Sequence, residues 1–113
     1  MDKTSHTNFR MTLKRLGYTV YSGSVKSFCC PTPEGDRVIG PEHGTLFQVI
    51  SPGWVEVWPS ESTESLRFLS SGGVLEIIHN RAVLTTFNLA EAHQRVQVET
   101  LLHKFSDSAP QAL

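Results

Sequence analysis

Long hydrophobic runs are missing from this 113-residue chain. A membrane-spanning helix needs about 20 consecutive apolar residues, and no uninterrupted apolar run here exceeds about three. The first ten residues, MDKTSHTNFR, hold no apolar core of signal-peptide length. The expectation is therefore a chain with no leader, in the cytoplasm. Cysteine is scarce too. Cys29 and Cys30 are adjacent, and neighbouring cysteines close only a strained ring, so no disulfide framework is expected. They read as two reduced thiols at the end of a strand, one inward and one outward. Metal-ligand spacing is absent. His93 and His103 are ten residues apart, about 15 Å along a helix, and no other pair has a zinc-site interval, so neither a metal nor a cofactor is expected. Phosphate-cradling glycine loops, nucleophile elbows and zincin motifs are likewise lacking.

What is present is ordinary globular material: 39% hydrophobic and 19% charged residues with a net charge of −1. That composition suits one domain with a single core over residues 1–113. Residues 1–6 and 106–113 are polar or low in apolar content and read as flexible tails. Charge is unevenly spread. Lys3, Arg10, Lys14, Arg15 and Lys26 precede an acidic stretch holding Glu34, Asp36, Glu42, Glu56, Glu61 and Glu64. An acidic sheet repels phosphate, which weighs against it as a nucleic-acid platform, and suits a basic protein partner.

The best-signalled stretch is Gly35 to Trp58. Strand-forming residues cluster at Arg37–Ile39, Thr45–Ile50 and Trp54–Trp58, and the breaks carry Gly40-Pro41, His43-Gly44 and Ser51-Pro52-Gly53. This reads as a three-strand antiparallel meander. In the third run Val55 and Val57 point to one face, Trp54, Glu56 and Trp58 to the other. The pattern Gly35-Asp36-x-Val38, Gly44-Thr45, Val49, Gly53-x-Val55-x-Val57-x-Pro59 resembles the strand grammar of SH3-like barrels. The resemblance implies a small bent barrel over residues 35–59 and no functional residue, because that class hosts many functions.

The flanking segments read as follows. Phe9, Leu13 and Leu16 fall at i, i+4, i+7 and predict an N-terminal helix with Arg10, Lys14 and Arg15 on a basic face. Tyr18–Tyr21 and Ser24–Cys29 around Ser22-Gly23 predict a hairpin. Ser60–Glu64, with acids in a first turn, followed by Leu66, Phe68 and Leu69, predict a short middle helix. Val74–His79 and Ala82–Phe87 predict a second hairpin, apolar on both faces and so covered. Asn88 and Glu91 match a capping box opening a C-terminal helix to about Phe105, packed on that hairpin. The expected class is α+β: a bent antiparallel sheet of about five to seven strands, SH3-like in its middle, with N-terminal, short middle and C-terminal helices.

For function, the expectation is a non-catalytic binding protein, a small bacterial mobile-element or phage-type inhibitor or regulator. It would engage a protein partner or a second copy of itself through Trp54, Glu56 and Trp58, since indoles bracketing a carboxylate suit a cationic side chain. One alternative is a nucleic-acid-binding regulator using Arg10, Lys14 and Arg15. Another is a small metal-free ribonuclease in which His79, Arg81 and His93 supply proton transfer and a cation.

Overall fold

The computed structural model of the protein describes residues 9–108, with side chains to residue 105. Nine strands and one helix follow one another: β1 Arg10–Arg15, β2 Tyr18–Thr32, β3 Gly35–Ile39, β4 Leu46–Ile50, β5 Gly53–Pro59, β6 Leu66–Ser70, β7 Gly73–Ile78, β8 Arg81–Thr86, β9 Leu89–Glu91 and α1 Arg95–Ser108. The expected α+β class with three helices is thus replaced by a mostly β chain with one helix.

The strands form two sheets joined by β2. Its first half pairs with β1, and β1, β8, β7 and β4 complete sheet I. Its second half pairs with β3 on one side and β5 on the other, and β6 and β9 complete sheet II. The sheets face each other over a core made of Phe9, Met11, Leu13, Leu75, Ile77, Ala82 and Leu84 on one side and Phe28, Cys30, Val55, Val57 and Phe68 on the other. Two sheets burying alternate residues between them make a β-sandwich, not the SH3-like barrel expected over 35–59. The strands of that stretch are present, yet none of the three pairs with another of them: β3 and β5 both pair with β2, and β4 with β7. The meander is overturned.

The N-terminal segment is a strand because its true period is two. Phe9, Met11 and Leu13 are fully buried, whereas Leu16, needed for the helical face, is 58% exposed. As β1 it lies between β2 and a parallel β8. The hairpin expected at Ser22-Gly23 is a single 15-residue strand, long enough to serve both sheets as it bends. The middle helix is β6: Phe68 and Leu69 are both buried because α1 covers the outer side of that strand. Asn88 does not cap a helix. It precedes β9, which pairs with β6, and α1 starts at Arg95. That helix seats Val98, Leu101 and Phe105 against Trp54, Leu69 and Ala90 of sheet II, not on the β7–β8 hairpin. It continues to Ser108, into the segment expected as a tail; residues 1–6 and 109–113 lie outside the described residues. The β7–β8 hairpin itself is present, turning at His79-Asn80 with φ of 51° and 60°, as a two-residue loop between twisted strands requires.

On the side where edge strands β3 and β4 meet, cross-links hold the sandwich shut. The Arg37 guanidinium donates to Gln48 Oε1 at 2.8 Å and the Ser51 amide to the Pro31 carbonyl at 2.9 Å. The Glu42 amide donates to Asn80 Oδ1 at 2.7 Å, tying the β3–β4 loop to the β7–β8 turn. Buried Thr86 donates to the Lys14 carbonyl, and buried Ser70 accepts the Gly72 amide, so the polar groups at the core margin are satisfied.

Candidate functional site

Each sheet has an outer face, and only one is covered. On sheet II, α1 shields the β9–β6 side. On sheet I no described element overlies the strands. The pairing registers put Phe47, Glu76, Val83 and Thr12 in one row and Val49, Val74, Thr85 and Lys14 in the next, with Ile78, Arg81 and Arg10 in a third. Phe47 is 71% exposed, Val49 58% and Ile78 48%; Val74 and Val83 are half-buried between them. A sheet face presenting five neighbouring apolar side chains to solvent is the signature of an interaction surface. Arg10, Lys14 and Arg81 line its β1–β8 side, and Glu76 is the acid within it.

The sequence pointed elsewhere for this surface. Val74, Ile78 and Val83 were expected to be covered on both sides; their outer sides are open. The basic triad does not form one face either. Arg10 and Lys14 project outward from sheet I, while Arg15 turns to the opposite side, donates to the Tyr18 hydroxyl at 3.0 Å and stacks 5.8 Å from its ring.

The indole surface is present as a stripe on the outer side of sheet II. Val55 and Val57 are fully buried, which turns Trp54, Glu56 and Trp58 outward, each half-buried. Trp54 packs under α1 and carries the Arg67 guanidinium 4.3 Å above its ring. Glu56 accepts the Ser65 hydroxyl at 2.6 Å. Beyond its backbone pairing with Ser27, Trp58 has no described residue in ring, cation or hydrogen-bond contact with its indole.

The nuclease candidates do not converge. His79 and Arg81 flank a shallow depression with Glu76, Ile78 and Val83, whereas His93 borders another with Tyr21, Arg67 and Glu91 and pairs with Glu91 at 3.1 Å. Among the described residues no three His, Cys, Asp or Glu side chains gather at metal-binding distance. Both thiols are free, Cys30 buried and Cys29 half-buried. Cys30, fully buried, has its pKa pushed up to about 12 by burial, with the neighbouring Cys29 thiolate adding to the effect. Burial also raises Cys29, helped by the Asp36 and Glu56 carboxylates. Because an unfolded thiol ionises near 9.0, the native state is favoured below that value, and stability is lost as pH rises from about 9 toward 12. The expected result is a fall in melting temperature across that window that Cys30→Ala largely removes, read by calorimetry from pH 7 to 11.

The fold is a small β-sandwich with a helix packed on sheet II, and among the described residues the outer face of sheet I is uncovered. No family model matches the chain. It is 34% identical over 58 residues to the ATP synthase epsilon chain of Halorhodospira halophila, a match that spans 51% of this chain and 41% of that relative. The chain therefore covers less than half the length of this curated relative. A chain of the Euglena gracilis mitochondrial ATP synthase (OSCP/F1/c-ring, rotational state 1) has the same fold, with a TM-score of 0.74 at 18% identity over 93% of this chain and 69% of that one. A chain of the Tetrahymena thermophila mitochondrial ATP synthase central stalk and c-ring matches with a TM-score of 0.65 at 16% identity, over 91% and 97%. These likenesses overturn the expectation of a mobile-element or phage-type inhibitor, and with it the nucleic-acid and ribonuclease alternatives. No described helix is long and apolar enough to cross a membrane.

Proposed function

We propose that this chain is an epsilon-type subunit of a rotary ATP synthase, a non-catalytic connector in the central stalk that docks on a neighbouring protein subunit through the outer face of sheet I. The carrying observation is the sandwich itself, matched across nine-tenths of the chain to a chain of one ATP synthase and to a chain of the central stalk and c-ring structure of another, with a related stretch in an epsilon chain. Those relatives support a protein partner and give no support for nucleic acid. The sheet I face suits the role. Phe47 and Val49 lie on an edge strand, standing well out of the surface, and a rigid two-sheet scaffold holds them in fixed register. Large exposed apolar side chains at the middle of a patch contribute most of the affinity in such contacts.

The test is co-purification. The tagged full chain is expressed in its own host, and membranes are solubilised in mild detergent. Co-elution with F1 and c-ring subunits is expected. Elution of the chain alone, while the host's assembled enzyme elutes separately, would overturn the reading.

A further inference from the structure

We infer that the outer face of β5 docks a basic polypeptide segment of a protein partner, with an arginine or lysine side chain seated on the Trp58 indole beside the Glu56 carboxylate. This inference goes beyond the stalk reading and does not need it, because it concerns the other sheet and is tested on the isolated chain.

The argument begins with an arrangement already filled once. On β5, Trp54, Glu56 and Trp58 alternate outward, about 7 Å apart along the strand. One indole of the pair, Trp54, holds a cation: the Arg67 guanidinium lies 4.3 Å from its ring. The other, Trp58, is equally half-buried and has neither a cation nor a ring against it among the described residues. Its ring-nitrogen donor also has no protein acceptor there. The flanking positions are small and would not obstruct an incoming side chain: Ser27 is the cross-strand partner of Trp58, and Ser65 is held down by its hydrogen bond to Glu56.

Charge complementarity specifies the occupant. Glu56 stands next to Trp58 and pairs with Cys29, whose own partner on β3 is Val38; Asp36 lies two residues further along β3, opposite Pro31, and both carboxylates act on the Cys29 thiol. Glu61 and Glu64 are exposed in the loop that follows β5. The nearby cations are engaged. Arg67 lies on Trp54, and Lys26 Nζ donates to the Ser62 carbonyl at 3.2 Å. Apolar contact is available as well, from Cys29 and from Val38, which is 67% exposed on the edge strand. Arg67 is the cross-strand partner of Glu56, but its guanidinium is stacked on Trp54, which leaves the Trp58 ring without a cation; an aromatic face with carboxylates on its border is the chemistry that takes a guanidinium or ammonium group. An acidic segment would meet more carboxylates than cations, with Asp36, Glu56, Glu61 and Glu64 against Arg67 and Lys26.

The experiment is a nitrogen-15 NMR titration of the full chain with the peptide Gly-Arg-Gly-Arg-Gly, and in parallel with its glutamate counterpart. Only two indole N–H signals exist, from Trp54 and Trp58, so the site reports on itself. Saturable movement of the Trp58 indole and of the Cys29 and Glu56 amides is expected with the arginine peptide alone. Trp58→Ala should weaken binding at least about tenfold and Glu56→Gln about threefold, while Arg10→Ala leaves it unchanged. Should Trp58→Ala perturb the fold, Glu56→Gln with an otherwise native spectrum decides the matter. Absence of a saturable shift, an equal response to the glutamate peptide, or unchanged affinity in Glu56→Gln would overturn the proposal. Movement of the Trp58 signal on dilution without peptide would assign the face to a second copy of the chain and overturn it as well.

Discussion

Gly73→Ala is expected to prevent the sandwich from forming. Gly73 begins β7 and is paired on both sides, with Ile50 of β4 and Thr86 of β8. A Cβ at this position would collide with the Thr85 carbonyl oxygen and lie under 3 Å from two further backbone atoms of β8. Those atoms are main chain of an inner strand, so no rotamer change relieves the clash; β7 or β8 would have to leave its register. Losing that register disturbs Leu75, Ile77 and Leu84, all fully buried. The cost should exceed about 4 kcal/mol, at the extreme of single substitutions. Gly17→Ala is the fitting comparison. Gly17 has a φ of 102°, but nothing lies within 4 Å of the added Cβ, so backbone strain alone acts and the loss should be about 1 kcal/mol. Chemical denaturation of both variants checks the contrast. A Gly73→Ala protein with a native-like midpoint would show that β7 and β8 do not approach as closely as described.

Phe47→Glu combined with Val49→Glu is expected to abolish co-purification with the ATP synthase assembly and leave the isolated chain folded. Both side chains are mostly in solvent, so charging them removes little native packing, and the melting point should move by no more than a few degrees. In an interface the same charges would be desolvated beside Val74 and Ile78. Two such replacements should reduce affinity at least about a hundredfold. The readout is the amount of chain retained on the purified enzyme against the melting curve of the free chain. Retention at the wild-type level would remove the sheet I face from the docking surface. An unfolded variant would show that β4 is held mainly by its outer side chains.

Local strand signals were legible in the sequence, and long-range pairing was not. β3, β4 and β5 lie close to where β-branched residues and Gly/Pro breaks put them, and the β7–β8 turn sits one residue from its expected place. Yet the partner of each strand depends on which edges are covered, and nothing local to Thr45–Ile50 says that it pairs with residues 73–77. The misread helices share a cause. In Phe9–Leu16 the residues at i, i+4, i+7 imitate a helical stripe, while the alternation Phe9, Met11, Leu13 carries the real burial. At Ser60–Glu64 the acids and hydroxyls that would cap a helix form a turn instead, in which the Ser62 side chain accepts the Glu64 amide at 3.0 Å. In β2, Ser22-Gly23 looks like a turn because small residues suit turns; here both lie within the strand, paired with Thr12 and Met11 of β1. Gly23 lies against Tyr21, whose hydroxyl would be 2.9 Å from an added Cβ.

The candidate surfaces were legible to different degrees for the same reason. Alternation along β5 was enough to turn Trp54, Glu56 and Trp58 outward. The sheet I face required topology: Phe47 and Val49 come from one strand, Val74 and Ile78 from another, and their adjacency exists only once β4 has joined β7.

The parallel pairing of β1 with β8 has a consequence for how the chain comes to be folded at all. Arg10 meets Arg81 and Arg15 meets Thr86, so the first strand takes its second neighbour only after some seventy intervening residues have been made. During synthesis β1 and β2 emerge early and can associate locally. One long edge of β1, with Met11 and Leu13 beside it, then stays open until β8 leaves the ribosome. Contacts this distant in sequence close slowly because the loop entropy must be met first. The growing chain consequently passes through a period in which a strand that supplies core side chains is an unprotected edge, a state prone to pairing with the wrong chain. A synonymous slow-translating stretch placed before residue 81 should therefore lower soluble yield, and the same stretch placed after residue 90 should not.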